Sequence, residues 1–408
     1  MKLSVVALRN LVRNRRRSLL SGGVVALGFA AFALAGGFMA QSLEGLQEST
    51  IRGGLGHLQI ANSAGFAPGA DATLEHGLAD ARGIEQTLRE DPAVADVLPR
   101  IDFVGLATSG GRSVPFFGMG VDPQAEARSM DLVSSITAGR WLENRGERGV
   151  VLGTGLAAAL EVGAGDTITL LASTAEGVLN GVDATVVALA ALPIKEIDDR
   201  FLATSLDLAA DLLLAPDRVS RFAVMLHDGT DEREALVRAL ASLHGHGFAV
   251  DGRTWQDLAH FYRQVRLLYS GIFGFMGLVL AVVVLLATTN TMMMAATERT
   301  REIGTLRALG TRPRRIRMLF VAEAAWLAVL ACAAGTALAL ALSFVLNHSG
   351  IVLPPPPGAT SPMPLHIRFY AVTYLAAFAT MALTTLLASY FPARRASRIP
   401  IVEALTHV

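Results

Sequence analysis

Four long runs without a single charged side chain constrain the fold more than any other feature of this sequence. They cover residues 18–43, 267–297, 324–347 and 369–393. A helix needs about 20 largely apolar residues to cross about 30 Å of hydrocarbon, and each run meets that length. No comparable run occurs within residues 44–266. The pattern predicts an α-helical membrane protein with four transmembrane helices and one large domain inserted between the first and second. Composition agrees, with 17% charged residues where soluble domains carry about 25%. The second run has 31 residues, roughly 46 Å as a helix, so that helix is expected to project beyond the bilayer.

Charge fixes the direction of threading. Residues 44–266 hold 31 acidic and 18 basic side chains, whereas the rest holds 4 acidic and 17 basic. Arginines crowd the amino-terminal segment 1–17, the loop 298–317 ahead of a third span at 318–347, and the tail 394–408. The loop 348–368 has one arginine, Arg368, at its end. Arginine-rich segments stay in the cytoplasm. Both termini are therefore expected inside and residues 44–266 outside. Cleavage-like sites at residues 33–35 and 38–40 raise the possibility of a signal peptide. The 26 uncharged residues of the first run exceed a typical signal core of about 7–15, which favours a retained anchor. The single cysteine, Cys332, falls inside the third span and excludes a disulfide-stapled module.

Leu3, Ala7 and Leu11 form one helical stripe with Arg9, Arg13 and Arg16 displaced from it, the pattern of an amphipathic helix on the inner membrane surface. Between the first two spans, residues 57–60, 94–107, 114–121, 222–226 and 248–250 read as strands, and 80–90 and 231–243 as helices. The middle stretch, about 139–204, is rich in short strands and turns, so an α+β domain with a β-rich insertion is expected. Residues 353–364 contain six prolines and read as a stiff connection.

Several chemistries find no support. There is no GxxxxGK[ST] phosphate loop, so ATP binding of that kind is excluded for this chain. Leu20-Ser21-Gly22-Gly23 resembles part of an ATPase signature but opens a span. Ser109-Gly110-Gly111 and Gly153-Thr154-Gly155 read as turns. His244-Gly245-His246 offers two metal ligands without a third at recognisable spacing and reads as a solvated loop. No catalytic constellation stands out, and the basic clusters read as membrane flanks and not as nucleic-acid patches.

The most informative stretch is residues 290–317. Glu298 and Glu302, four apart, share a helix face, and Arg299, Arg301 and Arg307 decorate the other surfaces. Gly310 can end the helix and Pro313 can start the next. Topogenic charge alone requires arginines but not interleaved glutamates, so a short charged helix joining two spans reads as a handle for a cytoplasmic partner.

Residues 297–310, TERTREIGTLRALG, resemble the loop of the MacB/LolC/LolE/FtsX permeases. The tail 392–405 resembles their PARRASRxxPxEAL ending, and Ala7-Leu8-Arg9-Asn10-Leu11 with residues 15–20 resembles their amino-terminal start. This resemblance implies a mechanotransmission permease without its own ATPase, working as a dimer with a second copy or paralogue and docked on two ATP-binding-cassette subunits. It also implies a porter-like lobe carrying the β-rich insertion. Glu298, Arg299, Arg301, Glu302, Leu306 and Arg307 are the expected ATPase-coupling residues, with Gly304 and Gly310 structural. Residues 56–60 and 118–123 look most like the LolC/LolE-type branch, and only 17 residues precede the first span, so no fused ATPase is expected. Lipoprotein extraction is the first functional expectation. Export of small molecules or peptides with a periplasmic adaptor, or FtsX-like signal transduction, are the alternatives. Cofactors, metals and catalytic residues are not expected.

Overall fold

The computed structural model describes residues 3–66, 74–174, 176–192, 194–353, 363–400 and 404. The proline run Pro354–Pro357 and the tail residue Glu403 lie outside them. The chain divides into a helical unit (Met1–Glu44, Val265–Val352, Pro364–Val408) and a sheet unit (Gly45–Gln264, Leu353–Met363). It opens with α1 (Leu3–Arg13) and α2 (Arg15–Thr50). A π-helical turn, Ile51–Leu55, follows α2, with Gly54 at φ 136° where a side chain is disfavoured.

The sheet unit is organised by β3 (Val94–Ser109), a 16-residue strand. Its first half sits in a sheet ordered β12 (Asp251–Thr254), β1 (Leu58–Ala61), β11 (Arg221–Leu226), β3. Helices α3 (Ala81–Arg89) and α8 (Glu232–Gly245) accompany this half. Asp80 and Asp231 cap them by accepting from Gly83 and from Arg233 and Glu234 N–H groups. The second half of β3 turns at Gly110-Gly111, both in the left-handed region, into β4 (Arg112–Val121). Together they enter a closed ring of six strands. β4 pairs parallel with β9 (Phe201–Ser205), and β9 pairs antiparallel with β6 (Gly149–Gly153). β6 pairs parallel with β8 (Leu179–Ala190), and β8 pairs antiparallel with β7 (Thr167–Ser173). β7 returns to β3 at Gly105–Thr108. Residues 139–204 thus supply most of four ring strands, and the β3–β4 hairpin supplies the other two. Phe103 and Phe116 meet edge to face at 5.6 Å among the buried apolar residues of the unit.

The remaining elements pack around these: β2 (Leu78–Ala79) with β10 (Arg218–Val219), α4 (Pro123–Ser129), β5 (Ile136–Gly139) beside β8, α5 (Thr154–Leu160), α6 (Lys195–Asp198), α7 (Leu206–Leu213) and α9 (Trp255–Leu258). Three sequence expectations need correction. Gly153-Thr154-Gly155 is no turn: β6 runs directly into α5. There Asp198 accepts from the Thr154 and Gly155 N–H groups at 3.2 and 2.8 Å. A Cβ on either glycine would lie 2.1 Å from an atom of Asp198 or Asp199. His244 lies in the last turn of α8 and His246 caps it, so the solvent-exposed pair belongs to a helix end and not to a loop; they donate to the Val250 and Ser242 carbonyls. The last strand is Asp251–Thr254, three residues beyond the apolar triplet 248–250, because register with β1 decides it.

The helical unit continues with α10 (His260–Glu298), α11 (Thr300–Ala308), α12 (Pro313–His348) and α13 (Ala371–Ala396). Helices α2, α10, α12 and α13 are long and apolar enough to cross a membrane. Val25, Phe29 and Ala33 of α2 pack with Ala331 and Ala339 of α12 and Ala377 and Met381 of α13. A Cβ on Gly335 would lie 2.7 Å from the Ala26 carbonyl, so glycine is what lets α12 approach α2. Along α10, Leu267, Ile272, Phe275, Val279, Val283 and Leu286 remain exposed. Small two-residue strands β13 (Val352–Leu353) and β14 (Met363–Pro364) pair with each other.

Candidate coupling site on the loop helix

Helix α11 exists because α10 breaks at Arg299, whose φ and ψ of −98° and 13° leave the helical region. It ends before Gly310, at φ 87°, and Pro313 then opens α12. The inward face of α11 is apolar and close-packed. Thr300, Ile303 and Gly304 are buried, and Ile303 lies in a cluster with Met292, Ala296, Ile316, Phe320 and Ala393. A Cβ on Gly304 would stand 2.7 Å from the Ala404 Cβ, so this glycine admits the carboxyl-terminal tail against the helix. Arg307 donates to the Ile399 carbonyl and ties the tail down again.

The charged residues are also engaged within the chain. Glu298 pairs with Arg17. Glu302 receives Arg13 Nη2 at 3.1 Å on each carboxylate oxygen. Arg299 is drawn inward to Glu323 of α12, at 3.0 and 3.3 Å. Asn10 of α1 donates to the same Glu323 carboxylate at 2.6 Å. Asn10, Asn14, Arg17, Thr291, Arg299 and Glu323 border one small cavity. The sequence-derived set therefore splits into three groups. Glu298 and Glu302 reach the amino-terminal segment, Arg299 and Arg307 point into the unit, and Arg301 and Leu306 stay exposed.

Two residues escaped sequence reasoning. Leu309, 79% exposed, lies just past α11 and looked like helix punctuation before Gly310. Glu323, 4% exposed, looked like the boundary of a span. Its signal was present: the lone carboxylate of α12, set where the helix has turned apolar after Arg317, asks for a partner. Arg301, Glu302, Thr305, Leu306, Ala308 and Leu309 are the exposed side chains of the loop helix and its end. That surface sets two leucines beside Arg301 and the Arg13-paired Glu302, the composition of a contact patch and not of a reaction centre. Among the described residues no group of three His, Cys, Asp or Glu side chains is arranged to hold a metal ion.

Comparison with known proteins places both units. The MacB-like periplasmic core domain family matches residues 18–242, and the FtsX-like permease C-terminal family matches residues 274–401. The lipoprotein-releasing system transmembrane protein LolE of Haemophilus influenzae is 25% identical over 83% of both chains. The ABC transporter permease YtrF of Bacillus subtilis is 29% identical over 32% of this chain, and the macrolide export ATP-binding/permease protein MacB of Shewanella oneidensis is 37% identical over 28%. The chain spans only 31% and 16% of those two relatives. The crystal structure of the periplasmic region of MacB from Actinobacillus actinomycetemcomitans aligns with a TM-score of 0.38 at 16% identity, over 50% of this chain and 92% of that one. The match to residues 18–242 covers more than half of the 408 residues, and the chain belongs to the family of ABC-transporter permeases with a MacB-like periplasmic core domain and an FtsX-like carboxyl-terminal domain.

Proposed function

We propose that this permease docks a separate ATP-binding-cassette ATPase through α11 and transmits its motion to the periplasmic domain. The observation that carries this is the division of α11. One side is fastened by Ile303, Gly304, Arg299 and Arg307, and the other leaves Arg301, Leu306 and Leu309 uncovered. A helix held that firmly transfers force to α10 and α12 without folding over. Both termini and α11 lie in the cytoplasm in this reading, as the arginine distribution requires. ATP hydrolysis draws together the cytoplasmic ends of two permease copies or paralogues, and α2 and α10 carry the motion outward. The exposed apolar side chains of α10 are available to lipid and to the second permease.

The cargo we infer is a lipoprotein released from the inner membrane. The long match to LolE supports this choice, as does an apolar patch on the ring. Val104 is paired with Phe117 and Leu106 with Pro115 across β3 and β4, and Val104, Leu106 and Phe117 are exposed. Exposed apolar clusters of this kind mark contact surfaces, here for an acylated cargo or the periplasmic chaperone or adaptor that receives it.

The docking claim is tested by Leu309→Asp in a tagged chain purified from native membranes. Burying a leucine side chain stabilises a contact by about 1.5–3 kcal/mol, so its loss weakens docking roughly 10- to 150-fold. The ATPase should disappear from the preparation while permease insertion stays normal. Unchanged ATPase recovery would reject docking through this surface. Small molecules or peptides co-purifying in place of lipoprotein would favour efflux instead.

A further inference from the structure

Only four acidic side chains lie outside residues 44–266, namely Glu298, Glu302, Glu323 and Glu403. Three of them converge on the junction of α1, α11 and α12. Glu302 and Glu298 are more than half exposed and pair with Arg13 and with the less exposed Arg17, and the exposed Arg13–Glu302 pair contributes little by itself. Glu323 is different. It sits ten residues into α12, about three turns from Pro313, with Phe320, Ala324 and Leu327 buried around it. Its two partners come from separate segments, Asn10 in α1 and Arg299 at the start of α11. An ionised carboxylate in such surroundings is retained only with its partners in place.

We propose that Glu323 is a positioning residue that clamps α1 and the amino end of α11 onto α12. The three helices then move as one rigid body when α11 is pulled. The amphipathic helix α1 thereby becomes part of the coupling element and is more than a membrane float. Arg13–Glu302 and Arg17–Glu298 set the register of the clamp at its solvent edge. This inference rests on the docking reading above, but it concerns transmission after docking, and the two separate experimentally.

The test uses the full-length tagged chain, purified with its ATPase and placed in lipid nanodiscs. Glu323→Gln keeps the shape of the side chain and removes its charge; the amide oxygen can still accept from Asn10, while the N–H₂ that replaces Oε2 faces the Arg299 guanidinium. Transmission is read from the thiol-labelling rate of a Val178→Cys reporter on the exposed turn before β8, comparing vanadate-trapped with nucleotide-free complex. Glu323→Gln should retain ATPase recovery within about twofold while the nucleotide-dependent change in labelling falls to less than about a third of wild type. Cross-linking Arg13→Cys to Glu302→Cys in the Glu323→Gln background should restore the change, because the link re-fastens α1 to α11; a general folding defect would not be rescued. A wild-type labelling response in Glu323→Gln overturns the clamp, and so does failure of the cross-link to rescue. If Glu323→Gln does not insert, Asn10→Ala, which leaves the Arg299–Glu323 pair, must show a partial loss of the response, and a full response overturns the clamp. Absence of any ATPase beside the wild-type chain overturns the docking reading, and the clamp falls with it.

Discussion

Replacing Glu126 by glutamine should be among the most destabilising single changes in the sheet unit. Arg100 of β3 and Glu126 of α4 are 1% and 2% exposed. Arg100 Nη2 donates to both Glu126 oxygens at 3.0 Å, whereas Arg100 Nε has no hydrogen-bond partner. Burial pushes the Glu126 carboxyl above the ordinary carboxylate range, and the Arg100 guanidinium only partly pulls it back. Removing one member of such a pair strands the other charge and costs about 3–5 kcal/mol. For a domain of about 200 residues each kcal/mol moves Tm by about 2–4 °C, so a drop of roughly 6–20 °C is expected. Residues 45–264 contain their own core and no membrane span, and should fold as a soluble fragment in which circular dichroism follows unfolding. The pair of changes Arg100→Met and Glu126→Leu removes both charges and should recover most of the loss, because burial opposes the charged forms. A Glu126→Gln fragment melting within about 2 °C of the parent, or a double variant as unstable as the single one, would refute the argument.

Two further outcomes follow from particular contacts. His57, half-buried, accepts the Leu226 N–H on Nδ1 at 3.2 Å, and burial holds its pKa below the ordinary value. The folded fragment therefore favours neutral His57. That contribution is fully present above about pH 6.5, the unfolded value, and is lost as pH falls through the lower folded value. The urea midpoint of the fragment should fall as pH drops below about 6.5, and less so in His57→Asn; equal slopes would contradict this. For topology, cysteines at Lys195 and Gly229 should react with an impermeant thiol reagent in intact spheroplasts, and one at Arg314 only after lysis. Labelling at Arg314 without lysis would reverse the orientation.

The membrane helices were legible because hydrocarbon thickness demands long uncharged runs, and the sequence contains four. The β3–β4 hairpin was legible too, since two alternating runs flank Ser109-Gly110-Gly111. The closure of the ring was not, because the parallel pairings of β4 with β9 and β6 with β8 join distant segments whose register no local pattern encodes. Helix α5 is seven residues long and is capped by Asp198, 44 residues away, so nothing nearby announced it. At the candidate site the helix-face argument expected a short helix between the second and third spans, and α11 is that helix. It aimed Glu298 and Glu302 at a partner, and the structure gives both of them arginines of the amino-terminal segment. Such long-range charge pairing is invisible to i,i+4 spacing. Leu309 and Glu323 were passed over because each looked like a boundary marker, and a boundary residue shows its role only once its neighbours are in place.

Whether the uncovered surface of α11 meets an ATPase can be read directly, without any cargo assumption, by photo-crosslinking. A photo-crosslinking amino acid placed at Leu309 of the full chain is activated in native membranes, with the same group at Leu267 on the exposed face of α10 as comparison. Mass spectrometry then identifies the adducts. Docking through α11 predicts an ATP-binding-cassette subunit attached at Leu309 and none at Leu267. Adducts at Leu309 made only of lipid or of other permease chains, with the ATPase captured elsewhere or not at all, would contradict it.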